Sequence, residues 1–428
     1  MATVRPFKGL RYSDSAGRLE DLVAPPYDVL NEAEREAFAA KNPHNVVHLT
    51  LPEQLPDDRS KFVKYARSSA RLEEWRRDGA LSLDERPSFY RYTQTYSIPG
   101  QSSDIKFTRT SLIVLLRVEP YEKGVVLPHE QTFPKHREDR LRLLEATRSH
   151  LECIFGLYED DDNSVHTLAS QAPARLIGEL VTPEDGIAQS LEVIDDPDAV
   201  SSVVQALADK RLWIADGHHR YETALAFREM QGEQDGLIPE DFMMMAVDSM
   251  TDPGLVLLPT HRILKTLPVS AEELRAKMAA HFDVRDMPNG ELMKEIEASN
   301  AKGSRAFGVA LPFGTGFMAR TNHIERITAQ IDGPGSDLLK MLDVSVLHGF
   351  IFEKLLGLTG LDFFGYTRIE QEAVAAVGQG APAAFLMNPP TVEDMRLIAL
   401  GGEKMPQKST YYYPKLLSGL VVWSLKDF

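Results

Sequence analysis

Apolar residues recur along this chain with two different periods, and each stretch predicts its own element. Over 31–41 they fall at helical spacing behind Asn31, a capping side chain, and over 62–77 a longer amphipathic helix stops before Asp78-Gly79. Residues 88–97 and 108–118 alternate as strands around a turn at Pro99-Gly100. A charged helix is expected over 137–150 and a strand over 154–158. The spacing over 164–180 reads as mostly helical, with a break at Pro173. Asp198, after Pro197, is placed to cap a helix ending near Leu207, ahead of a short apolar run around Trp213. Met243-Met244-Met245-Ala246-Val247 reads as a strand and Asp252-Pro253-Gly254 as a turn. Farther on, helices are predicted over 271–281, 290–299, 344–356 and 392–400, and strands over 305–311, 316–320 and 383–387.

This irregular alternation favours an α+β fold with mixed sheets over a doubly wound parallel sheet. A chain of 428 residues exceeds one ordinary core, and the expected division is 1–100, 101–265 and 266–428, each α+β. With 43% hydrophobic and 26% charged residues, the composition is that of a soluble globular protein, and no apolar run is long enough to span a bilayer. The N-terminus lacks the apolar core of a secretory signal, so a cytoplasmic location is expected. A net charge of −16 without a basic tract argues against nucleic acid or an anionic membrane as partner, yet leaves room for a small basic pocket. The single cysteine, Cys153, excludes an internal disulfide and a multi-cysteine zinc site, and its apolar neighbours mark it as a buried, inert thiol.

Chemistry concentrates in three places. In Trp213-Ile214-Ala215-Asp216-Gly217-His218-His219-Arg220 an apolar run stops at Asp-Gly and a helical pattern starts at once. The first N–H groups of a helix lack intrahelical partners and carry partial positive charge. Gly217 lets a ligand approach the main chain, and Arg220 adds a fork of donors, so the junction suits a phosphate. Successive helical residues point about 100° apart, so His218 and His219 are expected to differ in role, one facing the ligand and one packing. The second place is Pro128-His129-Glu130-Gln131-Thr132, followed by Lys135, His136, Asp139 and Arg140. Here Glu130 beside His129 can serve as general base or magnesium ligand, while Lys135 and Arg140 can neutralise phosphate charge. The third is the donor-rich loop Gly401-Gly402 to Lys415, with Lys408, Ser409 and Thr410 placed to close over an anion. Tyr27-Asp28 and Thr260-His261-Arg262 are weaker signals, and HExxH, GxSxG and the dinucleotide glycine fingerprint are absent from the sequence.

Ala24-Pro25-Pro26-Tyr27-Asp28, His129-Glu130-x-Thr132, Asp139-Arg140, Ile214 to Arg220, Pro259 to Arg262 and Met405-Pro406-x-Lys408-Ser409-Thr410 occur in that order. Together they resemble the family called domain of unknown function 1015, over nearly the whole chain. The segment from Asp216 to Ala224 is also similar to the phosphate-binding element of the ParB/sulfiredoxin superfamily. That second resemblance implies a nucleotide-binding portion within 101–265. Sulfiredoxins carry their catalytic cysteine where this chain has His218, so their chemistry is not expected here. The superfamily's free-serine kinases activate an acceptor hydroxyl with a carboxylate upstream of the motif, a place Glu130 can fill.

The function expected from these readings is transfer of a phosphoryl group from ATP or ADP, with Mg2+, to the hydroxyl of a small molecule such as free serine. Asp216, Gly217, His218, His219, Arg220, Lys408, Ser409 and Thr410 would hold the phosphates. Glu130, His129, His218 and Arg220 would carry the chemistry, with Glu130 also able to bind the metal. Two alternatives stay open: a nucleotide-binding regulator without transfer, and a phosphate-ester hydrolase using His218 or His129 as acid and base. Oligomeric state is not legible.

Overall fold

Alternation along the strands decides the layering. In Phe107–Arg117, Leu112, Val114 and Leu116 join one apolar cluster, while Ile113 and Leu115 join another. The methionine run divides in the same way: Met243 and Met245 face one side, Met244 and Ala246 the other. A strand apolar on both faces must be covered on both, so these strands lie at the centre of a layered mixed α/β fold. The computed structural model describes residues 2–132 and 134–428, with the side chains of 134–136 outside the description.

The first sheet has nine strands: β1 (Val4–Arg5), β2 (Phe89–Tyr96), β3 (Phe107–Arg117), β4 (Val126–Leu127), β5 (Ile154–Tyr158), β6 (Arg175–Val181), β7 (Ala188–Ile194), β8 (Leu212–Asp216) and β9 (Phe242–Ser249). Its order is β4-β8-β5-β9-β3-β2-β7-β6, with β1 paired to β3. The pairs β4–β8 and β5–β9 are parallel, and the other pairs are antiparallel. A second, antiparallel sheet contains β10 (His261–Leu264), β11 (Asp283–Pro288), β12 (Arg305–Ala310), β13 (Thr315–Thr321), β14 (Phe364–Thr367) and β15 (Ala383–Leu386), ordered β11-β13-β12-β15-β10-β14. Thus β2, before residue 100, shares a sheet with β3, and β10, before residue 265, belongs to the second sheet.

The C-terminal tail returns to the first sheet's neighbourhood. Tyr412–Tyr413 pairs with Val256–Leu257, Trp423–Ser424 pairs with Ser149–His150, and Val422 and Ser418 bridge Leu10 and Ala24. The helices that matter for the site are α1 (Glu32–Lys41), α2 (Val63–Arg77), α3 (Pro134–Thr147), α4 (Ser164–Gln171), α5 (Pro197–Leu207) and α6 (His218–Glu229). Asn31 caps α1 through a reciprocal box with Glu34, as its position predicts.

Three expectations are corrected. Residues 175–181 form a strand, because Leu176, Ile177, Leu180 and Val181 repeat at a spacing that imitates a helix while the chain pairs along β7. The cap of α5 is Asp196, whose carboxylate accepts from the N–H of Ala199; Asp198 lies inside the first turn. The charged helix starts earlier and ends at Thr147, and Ser149–His150 is extended against Trp423–Ser424.

Candidate functional site

The parallel pairing of β4 with β8 sets the geometry. Val126 and Leu127 lie opposite Leu212 and Trp213, so the residues that end or follow the two strands, His129-Glu130 and Asp216-Gly217-His218, arrive at the same end of the sheet. Gly217 turns the chain there with φ +95°, a left-handed conformation, and a Cβ on it would meet Ile154 Cγ2 at 2.6 Å. Helix α6 begins at the next residue. Tyr221 anchors it, donating to Glu119 O at 2.8 Å and accepting from Glu119 N at 2.9 Å.

The loop over 405–415 closes the same corner. Met405 N donates to His129 O at 2.7 Å, and Lys408 N donates to Glu130 Oε1 at 3.3 Å. His129 is fully buried: Nδ1 donates to Ile214 O at 2.8 Å, so Nε2 is left to accept from the Thr410 hydroxyl at 2.9 Å. Its backbone N–H donates to His218 Nε2 at 3.2 Å. The His218 proton is therefore on Nδ1, 3.9 Å from Glu130 Oε2. Burial pushes His129 down to about 4 and, with His129 and His219 nearby, holds His218 well below the usual imidazole range, so both rings are neutral. Burial also raises the Glu130 carboxyl above its ordinary value.

A cavity of about 1070 Å³ opens over this floor. Of the expected site residues, Glu130, Asp216, Gly217, His218, His219, Lys408 and Thr410 line it, so the loop and the helix start border one cavity. Both histidines border the cavity, but His218 is buried, accepts from the His129 N–H through Nε2 and packs edge-on against that ring, whereas His219 is half-buried. Asp28, Arg140 and Lys415 line it too. Residues singled out only by the tertiary structure are Arg35, Lys64 and Arg368, which lie far apart in sequence and outside any motif.

Three expected residues are placed elsewhere. Arg220 lies behind Asp216, donating to its Oδ2 at 3.1 Å and to Cys153 O at 2.6 Å, and is not in the cavity wall. Ser409 is buried, with its hydroxyl on Pro406 O. His129 is enclosed behind His218. Burial would raise Asp216, but Lys415 and Arg220 outweigh it and hold the carboxyl below its ordinary value. The side chains of Lys135 and His136 lie outside the described residues.

A search of curated proteins returns no match. Among solved structures, a free serine kinase variant in complex with ADP superposes with a TM-score of 0.36 at 13% identity, over 74% of this chain and 94% of that one. A conserved hypothetical protein from Pyrococcus furiosus gives 0.35 at 14%, over 74% and 97%. C-terminally truncated SbnI from Staphylococcus aureus gives 0.35 at 11%, over 72% and 86%. The family described as "Protein of unknown function (DUF1015)" matches residues 4–345, most of the chain and all the motifs up to Arg262, and the protein belongs to it.

Proposed function

We propose that the cavity is a phosphotransfer site taking a nucleotide, ATP or ADP, and the hydroxyl of a small acceptor, with free serine the first candidate. The observation that carries this reading is the convergence of the α6 N-terminus at Gly217, the Lys408 and Lys415 side chains and the Glu130 carboxylate on one cavity. Its volume of about 1070 Å³ has room for a nucleotide and a small second substrate. The start of α6, the positive end of its helix dipole, would receive phosphate oxygens, and Lys408 would offset their charge. Arg220 supports the site from behind by fixing Asp216.

Glu130 takes the acceptor proton. As the oxygen–phosphorus bond to the acceptor forms and that to the nucleotide breaks, the proton passes to its carboxylate, and the nucleotide leaves one phosphate shorter. Its raised affinity for protons makes it a stronger base than an exposed glutamate. The Asp28 carboxylate supplies the hard oxygens a magnesium ion prefers, while Glu130 is given to the acceptor proton and Asp216 is committed to Lys415 and Arg220. Such an ion would neutralise charge on the bridging phosphates. The hydrolase reading loses His129, which has both ring nitrogens engaged and no access to the cavity.

Calorimetric titration of ATP and ADP with magnesium, followed by an acceptor screen, tests the reading. Lys408→Ala should weaken nucleotide binding about tenfold. Glu130→Gln should leave it within about twofold while turnover falls at least about 100-fold. Turnover by wild type should decline on acidification with a midpoint above the ordinary glutamate value. An absence of nucleotide binding in wild type sinks the proposal, and full turnover in Glu130→Gln removes the base.

A further inference from the structure

Outside this cavity, one cluster of side chains has the composition of a cation site. His166, in the first turn of α4, faces Asp248 near the end of β9 and Asp252 in the turn that follows. His166 Nδ1 lies 3.7 Å from Asp252 Oδ2 and 4.0 Å from Asp248 Oδ1, and one atom from each of the three groups lies within 4.8 Å of the other two. These separations are too long for hydrogen bonds and suit ligands spaced around one ion with bonds of about 2.0–2.2 Å.

Both carboxylates are deeply buried, Asp248 completely. Among the described residues no lysine or arginine forms an ion pair with either. The nearby Arg109 spends its terminal nitrogens on Gln94 and on the carbonyls of Tyr413 and Pro414. Arg109 acts on both carboxylates from a distance without an ion pair to either, and buried carboxylates lacking a contacting positive partner are costly.

The His166 Nδ1 atom is itself buried and has no hydrogen-bond partner, whereas Nε2 lies 3.5 Å from the Ser170 hydroxyl. With the proton on Nε2, the Nδ1 lone pair is left without a partner beside the two carboxylates.

The groups are also held in place. Asp252 accepts from Gly254 N at 2.6 Å and Thr110 N at 3.1 Å; Asp248 accepts from Ser249 N at 2.7 Å and the Ser111 hydroxyl at 3.4 Å. Asp160 fixes the start of α4 by accepting from His166 N at 2.8 Å. At Gly254 a Cβ would lie 2.0 Å from Thr108 O, so the turn carrying Asp252 is packed against β3. Outer hydrogen bonds of this kind orient metal ligands.

We propose that His166, Asp248 and Asp252 bind one first-row divalent cation, such as zinc or manganese, as a structural pin between α4, the end of β9 and the 252–254 turn. An imidazole with two carboxylates suits such ions better than magnesium or calcium, which favour oxygen alone. The site is separate from the cavity. Asp216 pairs with Phe155 in β5, whereas Ser249, next to Asp248, pairs with Tyr158, three residues along the same strand. None of the three ligands lines the cavity.

The test is a zinc titration of the full chain after chelator treatment, without nucleotide, read by calorimetry and thermal melting. Wild type should bind one ion and melt at a higher temperature with it. His166→Gln and Asp252→Asn should each weaken binding at least about tenfold and lose the shift. Asp248→Asn should melt at or above the metal-free wild type, because it removes a buried carboxylate, and should not respond to zinc. Glu130→Gln should respond like wild type. No binding by wild type, or wild-type binding in both His166→Gln and Asp252→Asn, overturns the proposal. So does loss of zinc binding in Glu130→Gln alone, which would put the ion in the cavity.

Discussion

Gly217 shows how much one residue can fix. Its φ of +95° and the 2.6 Å approach of a would-be Cβ to Ile154 exclude a side chain on two independent grounds. Gly217→Ala should therefore cost about 1–3 kcal/mol in urea denaturation and weaken nucleotide binding in the same titration. An unchanged denaturation midpoint would mean that the strand-to-helix turn relaxes freely. The neighbouring Asp216 has a different role from the one its sequence position implies. It pairs with Lys415 and Arg220 instead of facing the cavity unpaired.

At the scale of elements, the start of α5 separates local signal from its imitation. Pro197-Asp198 resembles a proline beside a cap, yet proline is suited to the first helical position, which puts the cap one residue earlier. Asp196→Ala should destabilise by about 1 kcal/mol, whereas Asp198→Ala should stay within about 0.5 kcal/mol. Equal losses would contradict the assignment of Asp196 from its bond to Ala199 N. The strand over 175–181 was illegible for a related reason. Paired apolar residues four apart fit a helix or a strand, and only pairing with β7 decides between them.

Across the whole molecule, the returning tail joins the ends of the chain. Trp423 packs on His150, with ring centroids 5.4 Å apart and planes 14° apart, and the pair lies in register between their strands. Burial holds His150 down to about 4, so it stays neutral in the folded protein where an unfolded chain would take up a proton. The sign follows. As pH falls below about 6.5 the unfolded state gains the proton first, and stability is lost progressively toward pH 4, by up to about 3 kcal/mol from this residue. His150→Phe should flatten the fall in urea midpoint across that window relative to wild type. An identical slope in the variant would show that other groups govern acid sensitivity.

The sequence by itself determined what short stretches of backbone dictate: the Asn31 cap, the central strands and the Asp216-Gly217-His218 junction at the start of a helix. It also singled out Glu130, Lys408 and Thr410, whose residue types announce their chemistry. Only the tertiary structure decided which way those side chains face. Arg220 and Ser409 turn inward because Cys153 O, Asp216 and Pro406 O satisfy them there. Arg35 and Arg368 reach the cavity from segments hundreds of residues apart. His166, Asp248 and Asp252 meet only when α4 packs beside the end of β9. Helix starts and turns depend on neighbours in sequence, whereas a charge or a lone pair acquires its role from partners that the chain brings near only by folding.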